Sequence, residues 1–390
     1  FKMKKKIAIL GSTGSIGKTL VNIIKKDKNK YEVILLTSNT NYIELLKQVS
    51  LFNVKNIIIT DQKTFLHVKK ILRNKKVNIY NKFNCFNKIF NKKKVDYTMC
   101  AISGFEGLSP TLDIIKYSKK IAIANKESII CGWELIKKNL KKFKSEFIPV
   151  DSEHFSIWSL INGLKSNYIE KVFITASGGP FKDLPIKDFK FITPKQALKH
   201  PSWSMGKKIS IDSATMMNKV FEIIEAKKIF DFKYSQLDIV IHSKSYVHAM
   251  VKFSNGLFKI LVHETDMKIP IFNSLYPFFE KKIKSKKVDF KILNNLDLQK
   301  VNLKRFPIVK LIKSLPDRDT LFETAIVSVN DCLVKNFLNK KIKFLDITKF
   351  FFKIINDKKL QKYKLKKPKN IEEIKTTYEY VRVKTNDLCV

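Results

Sequence analysis

An apolar run over residues 7–10 (Ile-Ala-Ile-Leu) feeds directly into Gly11-Ser12-Thr13-Gly14-Ser15-Ile16-Gly17. That order predicts a buried strand over residues 4–10, a glycine turn, and a helix that opens in the turn and runs to about Lys26. Glycines let backbone approach a pyrophosphate closely, and the free amides of a helix N-terminus bind it. The spacing is GxxGxxG rather than GxGxxG, so a tight strand–helix turn with no ligand is the alternative reading. Strand-like runs at 31–36, 56–60, 95–101 and 120–124 alternate with helical runs at 43–49 and 62–72. Such alternation predicts an α/β architecture, a Rossmann-like parallel sheet with helices on both faces, ending near Pro149. The tip after the second strand reads Thr37-Ser38-Asn39-Thr40-Asn41. It lacks the acid that would hold the ribose of NADH and repel a 2′-phosphate, which favours NADPH.

Beyond Pro149 the pattern changes. Strand-like runs at 171–176, 238–242, 249–253 and 257–262, with a helix over about 217–230, predict a central α+β domain with a largely antiparallel sheet. Residues 281–303 are Lys-rich and irregular and read as a linker. From 304 onward apolar residues recur at helical spacing (Ala325, Val329, Leu333, Phe337), which predicts a C-terminal helical bundle. The division is therefore 1–150, 151–280, 281–303 and 304–390.

Two acidic runs in the central domain carry chemistry. One is Pro149-Val150-Asp151-Ser152-Glu153-His154; the other runs from Asp212 through Asn218 and Lys219 to Glu222. In an extended segment Asp151 and Glu153 point the same way. Three converging carboxylates need a positive charge between them, and a hard divalent cation such as Mg2+ or Mn2+ takes oxygen ligands. Asp151, Glu153 and Glu222 are the expected ligands. Glu225, three residues further along the same helix, is either a further ligand or a supporting residue. The surrounding Ser, Asn, Lys and His suit phosphate and sugar hydroxyls, so a metal-dependent enzyme acting on a sugar phosphate is expected.

The formal charge of +41 raises nucleic acid as a partner. Only four of the 76 basic residues are Arg, however, and base readout and phosphate clamping favour Arg. Lys, Asn, Ile and Phe are abundant together, the set that an A/T-biased coding sequence yields, so no specific nucleic-acid partner is expected. The apolar runs are too short to span a bilayer, and the five cysteines have neither metal-ligand nor redox spacing. No membrane association and a cytoplasmic location are expected.

Several motifs together resemble one family, the 1-deoxy-D-xylulose 5-phosphate reductoisomerases. They are Gly11–Gly17, Ala124-Asn125-Lys126-Glu127-Ser128, Pro149–His154, Ser177-Gly178-Gly179-Pro180-Phe181, His200–Gly206, Asp212–Glu222, Ile241-His242 through His248, and Asp266-Met267-Lys268. The resemblance is dense from residue 4 to about 275 and thin in the C-terminal third. It implies a homodimer with an NADPH-binding domain, a catalytic domain and a helical bundle. It implies rearrangement of 1-deoxy-D-xylulose 5-phosphate followed by reduction to 2-C-methyl-D-erythritol 4-phosphate, a step towards isoprenoid precursors. By the same resemblance, Lys126, Ser152, Glu153 and His200 serve catalysis and touch substrate. Ser177, Ser213, Asn218 and Lys219 form a phosphate cradle, with Glu222 also at the substrate. Thr13, Gly14, Ser15, Ile16, Asn39, Asn41, Asn125, Glu127 and Gly206 contact NADPH. His200 lies on a flap with Trp203 and Met205, and His248 supports the site from behind.

The chain departs from the family pattern at Asn39-Thr40-Asn41, where Gly-x-Asn is usual, at His263-Glu264-Thr265 in place of Gly-x-Pro, and at Asp331, where Glu is expected after Asn330. Two competing functions predict different behaviour. An NADP-dependent sugar dehydrogenase would reduce without rearranging carbon. A basic nucleic-acid-binding protein would bind in a salt-sensitive way and leave NADPH unused.

Overall fold

The computed structural model describes residues 3–164, 168–200, 203, 205–276 and 281–389. The chain divides into two compact units: residues 1–129, 135–151 and 267–283 form the first, and residues 130–134, 152–266 and 284–390 the second.

The first unit is built on a seven-stranded, all-parallel sheet. Its strands are β1 (Lys5–Leu10), β2 (Tyr31–Ser38), β3 (Asn56–Ile59), β4 (Asn78–Tyr80), β5 (Val95–Cys100), β6 (Ser118–Ile123) and β7 (Glu146–Pro149), in the order β4-β3-β2-β1-β5-β6-β7. Ile7, Ile9, Leu36, Ile57 and Ile59 on one face and Ala8, Leu10, Leu35 and Ile58 on the other are all buried, as expected when helices cover both faces. The strand order reverses at β1, which places the glycine turn at the switch point where such sheets bind ligands. The edge strands β4 and β7 escape the sequence reading because, unlike the equally short but apolar β3, β4 buries no residue fully and β7 only two. The Lys268–Leu275 helix, assigned to the central domain from sequence, instead packs into the core of this unit. Its Ile271, Phe272 and Leu275, with Tyr276 beyond, join the cluster containing Ile24 and Tyr31, and Tyr97 Oη lies 2.8 Å from Ser274 Oγ.

The second unit carries a five-stranded sheet of β8 (Ile169–Ala176), β9 (Leu237–His242), β10 (Val247–Phe253), β11 (Phe258–Val262) and β12 (Leu298–Lys300), ordered β11-β10-β8-β9-β12. Its pairings are antiparallel except β8 with β9. The Ser152–Ile161 and Met217–Phe230 helices pack on this sheet. The expected linker contributes β12 and a short helix, Phe290–Asn294. Three helices, Leu321–Leu338, Phe344–Ile355 and Ile371–Leu388, form the bundle, with Leu321–Leu338 packed against both others and against the Lys207–Thr215 helix.

Candidate active site

The glycine turn is shaped by close packing. Gly11 has φ +78°, and a Cβ there would lie 2.5 Å from the Ala101 carbonyl oxygen; one on Gly17 would lie 2.4 Å from the Gly11 carbonyl oxygen. Both glycines are therefore sterically required. The turn is tied to β2 by Gly11 N–H donating to Thr37 Oγ1 (2.8 Å) and Ser12 N–H donating to the Thr37 carbonyl (2.9 Å). Thr13 Oγ1 lies 2.9 Å from Ser38 Oγ. The Ser15–Lys25 helix begins after Gly14 with no side chain capping its first amides. Those amides, beside Thr13, Gly14, Ser15 and Ile16, are the free donors a phosphate needs.

At the β2 tip, Asn39 Nδ2 donates to Thr60 Oγ1 (3.0 Å), and Asn41 caps the Tyr42–Phe52 helix by accepting from Glu44 N–H (3.3 Å). Residues 39–41 have no positive φ, so the missing family glycine leaves no strain here. Asn125 is committed structurally. It accepts from Ser128 N–H (2.5 Å) and donates to the Ile102 (2.6 Å) and Gly104 (2.8 Å) carbonyls. It thereby caps the Lys126–Phe143 helix, whose first turn holds Lys126 and the buried Glu127. The Lys126 ammonium lies 2.5 Å from Asp151 Oδ2.

Asp151 lies just past the end of β7, and Glu153 sits in the first turn of the Ser152–Ile161 helix that comes next. The two carboxylates therefore approach through a helix start and not through the extended segment expected from sequence. Carboxylate oxygens of Asp151, Glu153 and Glu222 all lie within 4.8 Å of one another, with Glu153 and Glu222 buried. Lys219, one helical turn before Glu222, places its ammonium 2.6 Å from Glu153 Oε1 and 2.6 Å from Glu222 Oε2. Burial alone would lower the Lys219 pKa, but the two carboxylates outweigh it and hold the ammonium above its ordinary value. Ser152 Oγ donates to Glu153 Oε2 (2.5 Å), and Asn218 Nδ2 donates to Glu222 Oε1.

Ser177 and Ser213 meet through glycine. Gly179 (φ +68°) packs so closely that a Cβ there would lie 2.9 Å from the Ser213 carbonyl oxygen. Its N–H donates to Ser177 Oγ (3.1 Å). Arg305 holds the far side of this loop by donating to the Phe181 (2.7 Å) and Leu184 (2.6 Å) carbonyls. His200 Nδ1 accepts from Trp203 N–H (2.9 Å), so Nε2 carries the proton toward Ser177 Oγ at 3.2 Å. Burial, reinforced by the Lys219 charge, pushes the His200 pKa down to about 4. Within the expected flap run, residues 201, 202 and 204 lie outside the described residues. Gly206 precedes the Lys207–Thr215 helix with ordinary φ and open space where a side chain would be. His248 stacks on His263 (ring centroids 3.7 Å apart), with Trp203 edge-on at 6.2 Å.

Three supporting residues were not singled out from sequence. Buried His154 lies with Nε2 2.9 Å from the Glu222 carbonyl oxygen and Nδ1 3.9 Å from Glu225 Oε2, which gives Glu225 a partner other than a metal. Its place directly after Glu153 was the available signal. Met216, at φ 68°, makes the corner between the Lys207–Thr215 and Met217–Phe230 helices. No local pattern marks Met as left-handed. Arg305 lies 121 residues from Leu184 in sequence and is equally silent.

The site can neutralise and orient an anion, hold a hard cation among three oxygens, and keep a neutral imidazole beside both. Family models described as 1-deoxy-D-xylulose 5-phosphate reductoisomerase match residues 7–132, and models of its C-terminal domains match residues 147–230 and 263–384. A 1-deoxy-D-xylulose 5-phosphate reductoisomerase from Pelagibacter ubique is 62% identical over 99% of this chain and 100% of its own length. One from Clostridium novyi is 37% identical over 97% of each chain. Among solved structures, the Zymomonas mobilis enzyme in complex with NADPH covers 100% of this chain and 99% of its own, at 30% identity and TM-score 0.88. A DOX-P reductoisomerase in complex with NADPH, fosmidomycin and magnesium covers 99% and 98%, at 32% identity and TM-score 0.90.

Proposed function

The chain belongs to the 1-deoxy-D-xylulose 5-phosphate reductoisomerase family, and from that premise we propose which of its residues carry out each part of the reaction. The protein is an NADPH-linked, metal-dependent reductoisomerase that converts 1-deoxy-D-xylulose 5-phosphate to 2-C-methyl-D-erythritol 4-phosphate. The observation that carries the assignment of residues is the convergence of Asp151, Glu153 and Glu222, with the buried Lys219 ammonium on the latter two and Lys126 on the first. Three oxygen donors with a local demand for positive charge suit Mg2+ or Mn2+. When bound there, the ion supplies Lewis-acid polarisation of the substrate carbonyl and a neighbouring hydroxyl.

The chain's own residues do the rest. Lys219 would offer its charge to the substrate phosphate, beside Ser177, Ser213 and Asn218. Lys126 and Ser152, already at Asp151 and Glu153, contact the substrate hydroxyls. His200, neutral and with its proton on Nε2, orients the reacting end, while Trp203 and Met205 exclude water. Thr13, Gly14, Ser15, Ile16, Asn39 and Asn41 receive NADPH along the β1 and β2 tips, with Asn125, Glu127 and Gly206 at its nicotinamide side; NADPH supplies the hydride. His248 backs the flap through Trp203.

The division of labour follows the sequence domains. Residues 1–150, with the Lys268–Leu275 helix packed into their core, bind cofactor, the rest of 151–280 provides catalysis and subunit contact, 281–303 connects and adds β12 to the second sheet, and 304–390 braces. Phe258, Ile260 and Leu298 are exposed apolar residues on β11 and β12, which supports a homodimer formed on that sheet. No helix among the described residues is long and apolar enough to cross a membrane. The five cysteines, none of them in a disulfide, support a cytoplasmic enzyme. Lysine-dominated charge supports no specific nucleic-acid partner.

The test combines protein, substrate, Mg2+ or Mn2+, and NADPH, follows the loss of reduced nicotinamide absorbance, and identifies the product. Branched methylerythritol phosphate is expected. Unspent NADPH with folded protein refutes the reading, and an unbranched product makes the chain a sugar dehydrogenase. Light scattering at assay concentration tests the dimer.

A further inference from the structure

Ser213, Asn218, Lys219 and Glu222 all lie on one corner, where the Lys207–Thr215 helix turns through Met216 into the Met217–Phe230 helix. A non-glycine residue at φ 68° is held there only if its surroundings over-determine it. The first arm of the corner carries a polar cluster that no step of the reaction uses, with Asp212 and Asn330 buried and Lys208 and Asp331 partly exposed. Lys208 Nζ lies 2.8 Å from Asp212 Oδ2 on its own helix and 3.1 Å from Asp331 Oδ1 on the Leu321–Leu338 helix. The same ammonium sits 4.8 Å over the ring of Phe221, the residue before Glu222. Asn330 Nδ2 donates to Asp212 Oδ1 (2.8 Å), and Tyr378 Oη, on the Ile371–Leu388 helix, donates to Asp331 Oδ2 (2.9 Å). One ammonium thus joins both arms of the corner to the C-terminal bundle.

The Lys208–Asp212 pair cannot orient its own helix, because both ends ride on it. The contacts of Asp212 with Asn330 and of Lys208 with Asp331 and Phe221 can. They set the rotation of the Lys207–Thr215 helix about its axis, and Ser213 is the residue next to Asp212. Partly exposed ion pairs of this kind are weak sources of net stability. What they supply is a single allowed register.

We propose that Lys208, Asp212, Asn330 and Asp331 form a positioning unit through which the C-terminal helices set the Ser213–Glu222 corner for the substrate phosphate. The inference rests on the phosphate-cradle reading above. It gives the C-terminal third, where family motifs are sparse, a defined role at the site.

The test uses the full-length, Mg2+-loaded enzyme. KM for substrate, KM for NADPH, and inhibition by inorganic phosphate are measured for Lys208→Met, Asn330→Ala and Asp331→Asn, with Lys208→Arg and Asp331→Glu as conservative controls. The first three are expected to raise substrate KM and the phosphate inhibition constant about tenfold, with a smaller loss of kcat, as for lost uniform binding. NADPH KM stays near parental, and the conservative variants restore most of the loss. Folded variants with parental substrate KM and phosphate inhibition, and only a lower Tm, overturn the proposal. If Lys208→Met does not fold, Asp331→Asn, which keeps the residue's shape, decides. Ser213→Ala separates the two readings. If it leaves substrate KM and phosphate inhibition unchanged, the cradle reading fails, and the positioning unit is then judged on whether the Lys208 and Asn330 variants raise substrate KM relative to NADPH KM.

Discussion

The ammonium of Lys219 lies 2.6 Å from Oε1 of Glu153, a residue 66 positions earlier in the chain. The same ammonium contacts Glu222 at 2.6 Å, so one lysine neutralises two of the three expected metal ligands. Cation binding and Lys219 therefore compete for the same oxygens, while the substrate phosphate and the carboxylates compete for Lys219.

Lys219→Met is expected to bind Mg2+ more tightly than the parent in the absence of substrate, by about tenfold, since the buried ammonium that competes for two of the ligands is removed. Substrate KM should rise at the same time. Titration calorimetry with Mg2+ alone checks the first effect and steady-state kinetics the second. Weaker Mg2+ binding in this variant would show that Lys219 supports the ion instead of opposing it.

Glu153→Gln keeps shape and removes one ligand charge. Activity with Mg2+ should fall by at least about a hundredfold, the scale of a lost electrostatic contribution to a transition state. Thermal stability without metal should change little, because Glu222 still pairs with Lys219. Retained turnover in a folded variant would remove Glu153 from the mechanism.

His200 contributes a pH dependence with a definite sign. Its pKa is 6.5 in the unfolded chain and about 4 in the folded protein, so between these values the unfolded state binds more protons. Its stabilising contribution is fully present above pH 6.5 and is lost as pH falls toward 4. Urea unfolding from pH 7 to pH 4 should show a shallower loss of stability for His200→Asn than for the parent. Parallel curves would mean that the imidazole titrates as it does in water.

Lys228 is buried with Asp319 and Glu323, the latter at 3.4 Å. Lys228→Met removes the ammonium that neutralises these carboxylates and should destabilise the protein by about 3–5 kcal/mol. This charge cluster is separate from the one at Lys219, so substrate KM measured well below the melting temperature should stay near parental. Denaturant unfolding measures the first effect and kinetics the second.

Gly11→Ala would place a methyl group 2.5 Å from the Ala101 carbonyl oxygen at φ +78°. The backbone conformation alone costs about 1–3 kcal/mol for a non-glycine residue, and relief requires moving the turn. A rise in NADPH KM larger than the rise in substrate KM is expected. Equal changes in both would mean that the turn does not face the cofactor.

Much of this was legible in the chain because it is written locally. Residues 7–17 specify strand, turn and helix by apolar run and glycine spacing, and the parallel sheet follows from repetition of that unit. Asp151, Glu153 and Glu222 could be marked because acids flanked by apolar residues are costly without a partner. Their approach, however, comes from a helix start at Ser152 instead of strand alternation, a distinction of one or two residues at a boundary that periodicity does not resolve.

What only tertiary structure decided are the relationships between distant residues. The seating of the Lys268–Leu275 helix in the first unit's core depends on a complementary surface around Tyr31 and Tyr97 that no local pattern describes. The same holds for His154 beneath Glu222, Arg305 on the Phe181–Leu184 loop, and Lys208 between Asp212 and Asp331. A side chain's periodicity reports which face of its own element is buried. Which partner it meets there is set by packing of whole elements, and that is where the lysines of this chain find their particular carboxylates.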